Sequence, residues 1–256
     1  MVKFFGLFII ALLLLPLRGE ELYLADATGG APLEAVFQAS VNLAMADKLT
    51  VNMQRKLPEE ALAAMDSGKF DGVIIDSGFV PNRETIPLAA EALALYISTA
   101  NPGAKVSKLD VQEILSAPRP NWKKYNRLNF DIQRITMKPL TPSGTLIRRI
   151  FGDKVPAEEI FSVDSYSSGF AFINTASIFF AQYIPQAPVE VKCMPVNGVM
   201  PTSADIVSGK YPLTVKYVIA CQKKSAGLEI LLNELGKEKY RRQMTGSGLI
   251  VLLPHK

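Results

Sequence analysis

From residue 20 onward the chain alternates between short apolar runs with strand-like spacing and longer runs whose apolar residues recur every three or four positions. "ELYLADA" (21–27), "LTVNMQ" (49–54) and "DGVIIDS" (71–77) read as strands, and "PLEAVFQASVNLAMADK" (32–48) and "EEALAAM" (59–65) as helices. Strands that alternate with amphipathic helices predict an α/β fold with parallel strands covered by helices on both faces.

The middle of the chain is less regular. In "IPLAAEALALYIS" (86–98) the alanines and Glu91 suit a helix, while the apolar continuity suits a strand. Ser107 and Asp110 form a capping box ahead of "KLDVQEILS", whose Leu109, Val111, Ile114 and Leu115 make an apolar face. "NFDIQRITM" (129–137) alternates like a strand. "GFAFIN" (169–174) and "PVEVKCMPV" (188–196) read as further strands separated by an apolar helix, "ASIFFAQYI". The last third predicts a strand "LTVKYVIAC" (213–221), a helix from Ala226 to Arg242 and a short closing strand, "LIVLLP". There is no internal repeat, low-complexity tract or linker-like segment.

The first nineteen residues stand apart. Lys3, the apolar run Phe4 to Leu15 and the small residue Gly19 have the layout of a cleaved secretion signal, with a retained N-terminal anchor as the alternative. A secreted or periplasmic location follows as an expectation. The chain carries 28 basic against 24 acidic residues, and Lys3 and Arg18 fall within the leader, so the remainder is close to neutral. Such a balance leaves no electrostatic footprint for nucleic acid. Cys193 and Cys221 both lie in strand-like runs and can pair as a disulfide in an oxidising compartment if those runs are neighbours; two separate buried thiols are the alternative. With two cysteines and one histidine, His255, the sequence predicts no metal site and no cofactor.

One stretch carries candidate chemistry. In "KPLTPSGTLIRRIFG" (138–152), Pro142 turns the chain and Ser143, Gly144 and Thr145 open a helix whose Leu146, Ile147 and Ile150 supply a buried face. The start of a helix leaves main-chain N–H groups without internal partners and carries partial positive charge, so it can hold an oxyanion. Gly144 lets a ligand approach the main chain, and the hydroxyls of Ser143 and Thr145 add donors. A plain helix cap is the alternative.

Several separated segments together resemble one family, the PstS-type phosphate-binding proteins. "LAAEALALYISTANPGAKVSKLDVQEILSAPRPNWKKYN" (88–126) resembles the family's strand, Asn-Pro turn, helix and Asn-Trp turn. Ser143-Gly144-Thr145 follows at the expected distance, and "SSGFAFI" (167–173), "VNGVMPTSADIVSGKYPLTVKYVIAC" (196–221) and the closing "GSGLIVL" also match in order. The resemblance implies a two-lobed type 2 periplasmic-binding-protein fold with a ligand cleft. Lobe 1 would comprise 20–94 and 211–256, and lobe 2 would comprise 95–210. It makes "IPLAAEALALYIS" a crossing strand. It implies a monomeric, non-enzymatic binder that passes a small oxyanion, phosphate or a relative, to an ABC permease, with Thr28, Gly29, Asp76, Ser77, Ser143, Gly144 and Thr145 as ligand-binding residues.

The departures from the family pattern are specific. Family members resembling this chain carry arginine four residues before the serine of the trio and often an acid two before it; here those positions are Pro139 and Thr141. Lys138, Arg134, Arg148 and Arg149 are the cations within reach in sequence. After "VNMQ" the family's Gly-Ser-rich loop is replaced by "RKLPEEALAAM". These differences keep open a second expectation, an envelope sensor or interaction module that retains the fold without phosphate capture. Use of Ser143 as a catalytic nucleophile needs a nearby base, and no Gly-x-Ser-x-Gly elbow surrounds it.

Overall fold

The computed structural model describes residues 20–28, 32–139, 141–152 and 160–254, apart from the side chains of Pro142 and Ser143. The expected leader, Gly29 and His255 lie outside them. In chain order the elements are β1 (Glu20–Asp26), α1 (Leu33–Met45), β2 (Leu49–Arg55), α2 (Pro58–Asp66), β3 (Gly72–Asp76), β4 (Thr85–Ser98), α3 (Lys108–Ser116) and β5 (Gln133–Met137). Then follow α4 (Pro142–Phe151), β6 (Phe161–Val163), α5 (Tyr166–Ala171), β7 (Ser177–Gln182), β8 (Val191–Cys193), α6 (Ser203–Ser208), β9 (Thr214–Ala220), α7 (Ala226–Leu235), α8 (Glu238–Gly246) and β10 (Ile250–Val251).

The strands are hydrogen-bonded in the order β2-β1-β3-β9-β4-β7-β5-β6, with β8 and β10 also pairing with β4. The first half follows the sequence pattern closely. β1 lies parallel to β2 over its whole length, from Glu20 opposite Leu49 to Asp26 opposite Arg55. Ala35, Val36, Ala39 and Leu43 bury the inner stripe of α1, as their spacing requires. The expected capping box is present at the start of α3, where Ser107 accepts from the Asp110 amide and Asp110 accepts from the Ser107 amide.

β4 organises everything else. Its residues Thr85 to Ala92 pair with β9, and from Leu93 onward it pairs with β7 and then β8. One strand therefore belongs to two halves of the sheet, and the change occurs between Ala92 and Leu93, one residue past Glu91. Leu88 through Ile97 are all buried, which explains why the segment shows neither helical nor alternating polarity: it is covered on both faces.

Four expectations need correction. The sheet is mixed rather than parallel, because β9 runs antiparallel to β3 and β4, and β4 antiparallel to β7. Residues 169–174 are not a strand and 176–184 are not a helix: α5 covers Tyr166–Ala171, capped by Ser165, and β7 covers Ser177–Gln182 with every residue buried. A short run that is buried throughout carries no period, so spacing alone could not separate strand from helix there. The terminal helix is two helices, α7 and α8, broken at Gly236-Lys237. Cys193 and Cys221 are both free thiols, and the register shows why. Cys193 lies opposite Tyr96, while Ala220 lies opposite Thr85, at the other end of the 14-residue strand β4. Disulfides need Cα atoms within about 7 Å.

Candidate functional site

Thr28 and Asp76 sit side by side at the carboxyl ends of parallel strands. Asp26 of β1 is in register with Ile74 of β3, and each candidate lies two residues further on. Small ligands in open α/β sheets bind outside such strand ends. Thr28 is already engaged locally: its amide and its hydroxyl both donate to Asp26 Oδ1, at 2.9 and 2.6 Å. Asp26 is buried and also faces the Arg55 guanidinium at 3.5 Å. Asp76 caps a short 3-10 turn, Ser77–Phe79, by accepting from the Gly78 amide at 2.9 Å. Ser77 is the first residue of that turn, so the strand-end pair is placed as the sequence suggests.

The tip of α4 offers fewer main-chain donors than a bare helix start. Pro142 has no N–H, the Gly144 amide donates to the Thr141 side chain at 3.0 Å, and the Thr145 amide donates to the Thr141 carbonyl at 3.0 Å. Gly144 is glycine for a reason internal to the chain: a Cβ there would fall 2.0 Å from the Lys138 carbonyl oxygen and 2.9 Å from Pro139 Cα. The turn folds back onto the helix start, and only a hydrogen fits between.

Of the four candidate cations, three are placed elsewhere. Lys138 pairs with Asp164 at 2.6 Å on the surface. Arg134 is buried and donates to the carbonyls of Leu115 and Ala117 at 3.0 and 2.8 Å, closing the C-terminal end of α3. Arg148 is exposed. Arg149 is different. It lies one helical turn beyond Thr145, hence on the same face of α4, and its Nη1 donates to Glu91 Oε1 at 2.9 Å and to the Tyr217 hydroxyl. Its Nε and Nη2 have no partner among the described residues.

Glu91, Tyr217 and Gln182 were not anticipated as site residues. Glu91 accepts from Arg149, from the Tyr217 hydroxyl and from Gln182 Nε2 at 3.1 Å, so α4, β9 and β7 all converge on one carboxylate of β4. Asp76 stands opposite Tyr217 in the β3–β9 register and feels the Arg149 charge. The available signal was Glu91 itself: a lone carboxylate in an otherwise apolar, doubly covered strand needs partners.

Burial dominates the electrostatics. It pushes the Glu91 carboxyl above the usual carboxylate range, against the opposing pull of the Tyr217 hydrogen bond and the Arg149 charge, while neighbouring Asp76 pushes in the same direction as burial. Asp76 is raised too, again chiefly by burial, with the Gly78 amide and Arg149 pulling it back. Two carboxylates thus lie in the field of one guanidinium, which is bonded to Glu91. Among the described residues no group of three or more His, Cys, Asp or Glu side chains could hold a metal ion. A hollow of about 280 Å³ beside α7, lined by Ile86, Lys224, Glu229, Leu232, Asn233 and Leu253 among others, contains none of the predicted residues.

No family model matches the sequence, and no curated protein matches it. Solved structures do. An ABC-type phosphate transport receptor from Vibrio cholerae superposes with TM-score 0.63 at 19% identity, covering 91% of this chain and 100% of that one. PstS from Borrelia burgdorferi superposes with TM-score 0.69 at 12% identity, covering 91% and 98%. The fold is that of the type 2 periplasmic binding proteins. A LysR substrate-binding domain from Wolinella succinogenes shares it at TM-score 0.57 and 10% identity, covering 89% of this chain and 99% of that one. The type 2 binding fold therefore comes with more than one use, and the side chains of the site must decide between them.

Proposed function

We propose that this chain is an extracytoplasmic solute-binding protein that captures a small oxyanion between its lobes, 20–94 with 211–256 and 95–210, and presents it to an ABC permease. The observation that carries this reading is the placement of Arg149. Its guanidinium sits near the point where β4 passes between the two halves of the sheet, within electrostatic reach of the strand-end residue Asp76, with Nε and Nη2 unpartnered among the described residues. It takes the place of the arginine missing ahead of Ser143. The fold shared with phosphate-binding receptors supports a small ligand and a permease partner.

A second reading has its own support. Asp76 and Glu91 outnumber Arg149 in the same spot, an arrangement that weakens capture of a highly charged anion and suits an envelope sensor or interaction module. Calorimetry on the purified protein with phosphate, sulfate, molybdate and a phosphonate separates the two. Saturable one-to-one binding lost in Arg149→Gln supports capture; absence of heat with every anion at millimolar concentration supports the module.

A further inference from the structure

We propose that Glu91 is a specificity residue of this site: its fixed carboxylate, set against Arg149, admits singly charged oxyanions and disfavours dianions. The inference rests on the oxyanion reading above and adds the charge class of the ligand.

Glu91 cannot move aside. Its side chain is 1% exposed, and it is held from three directions, by Arg149 Nη1 at 2.9 Å, by the Tyr217 hydroxyl and by Gln182 Nε2 at 3.1 Å. Gln182 is itself confined, because it also donates to the Ser247 carbonyl at 3.3 Å and packs against Gly248, where a Cβ would come within 2.8 Å of it. An anion that takes up the remaining Nε and Nη2 edges of Arg149 therefore meets a carboxylate that stays on the far side of the same guanidinium. Asp76 adds a second negative group from β3. Attraction to Arg149 and repulsion from Glu91 and Asp76 all scale with ligand charge; with two carboxylates against one guanidinium the repulsive part grows faster, so a dianion is penalised more than a monoanion.

Glu91→Gln tests this without emptying the site. The amide oxygen still accepts from Arg149 and Tyr217, and the shape is retained. Sulfate is the probe, since its charge is constant across the working range, with nitrate as the monoanion. Full-length protein and variant are compared by calorimetry after circular dichroism confirms equal folding. At about pH 8 the variant should bind sulfate at least about tenfold more tightly than the parent, while nitrate affinity changes less. On acidification the parent should approach the variant, because buried Glu91 takes up a proton more readily than an ordinary carboxylate does. Asp76, Arg149 and Tyr217, the other ionisable groups facing it, are common to both proteins, so the narrowing gap reports Glu91. Equal or weaker sulfate binding by Glu91→Gln, with nitrate binding intact, would overturn the proposal and leave Glu91 as a support for Arg149. If neither protein binds either anion while the parent binds phosphate, this inference falls alone; if phosphate is silent as well, the oxyanion reading falls and this inference with it. Should Glu91→Gln fail to fold, Asp76→Asn, which keeps Glu91, supplies the profile: sulfate binding by that variant that tightens on acidification supports the gate, and a pH-independent affinity overturns it.

Discussion

Arg149 of α4 and Glu91 of β4 form an ion pair at 2.9 Å, at the point where the strand leaves one half of the sheet for the other. Their side chains are 19% and 1% exposed, so the carboxylate depends on this partner far more than the guanidinium does. Removing one member of a buried pair strands the other, at a cost of about 3–5 kcal/mol, whereas replacing both with apolar groups is often nearly neutral. Arg149→Met should lie at the low end, about 3 kcal/mol by urea unfolding, because Glu91 can take a proton. Arg149→Met combined with Glu91→Met should recover at least half of the loss. A single variant as stable as the parent would mean that the pair is not closed in solution.

The same burial makes stability depend on pH. Glu91 and Asp76 both have carboxyls raised in the folded protein, so the folded state holds their protons more tightly than the unfolded chain does. Stability from these groups is therefore fullest near the ordinary carboxylate values and declines as pH rises through the raised ones. Asp66 and Asp110, lowered respectively by Arg83 and by the Ser107 amide, act in the opposite sense at more acidic pH. The informative quantity is thus a difference: between about pH 5.5 and about pH 8 the melting temperature of the parent should fall more than that of Glu91→Gln. Parallel melting curves for the two would remove Glu91 as the source.

How much of this was readable in advance depends on what each residue contacts. The first half was legible because α1 and α2 each keep one buried and one wetted side, leaving a helical period, and the short apolar strands between them are bounded by polar and turn residues. "SIFFAQ" and "IPLAAEALALYIS" erase that period by being buried all round, which is why the first was mistaken for a helix and the second was settled only by resemblance. Glu91 was visible but counted as helix evidence, since its partners come from α4, β7 and β9, far away in sequence. The choice of Arg149 over Arg134 was not legible either: it turns on which face of α4 meets β4 and on the carbonyls at the end of α3 that occupy Arg134.

Gly144 gives a test of the α4 turn. Exchanging a helical glycine for alanine ordinarily stabilises a protein by about 0.4–1 kcal/mol. Here the new methyl would meet the Lys138 carbonyl oxygen at 2.0 Å and its carbon at 2.7 Å, both main chain and unable to rotate away. The sign should reverse, with Gly144→Ala losing about 2 kcal/mol or more in thermal or urea unfolding. Gly246 is the control, at the end of α8, where an added methyl would find nothing within 4 Å, so Gly246→Ala should be neutral or mildly stabilising. Equal effects at both positions would show that the fold-back of residues 138–139 onto the helix start is absent.

The two thiols provide a check on the strand register itself. Cys193 is tied to Tyr96 and Ala220 to Thr85, so any bond between Cys193 and Cys221 would require β4 to release one of its neighbours. Burial pushes the Cys193 thiol up to about 11 and raises Cys221 as well, so neither is much ionised near neutral pH and both should react slowly in the folded protein. Protein kept free of reductant, unfolded in guanidinium and treated with iodoacetamide should gain two adducts by mass spectrometry. If no adduct appears until a reductant is added and the protein remains monomeric, the cysteines are paired, and β8 and β9 cannot both hold the positions on β4 described above.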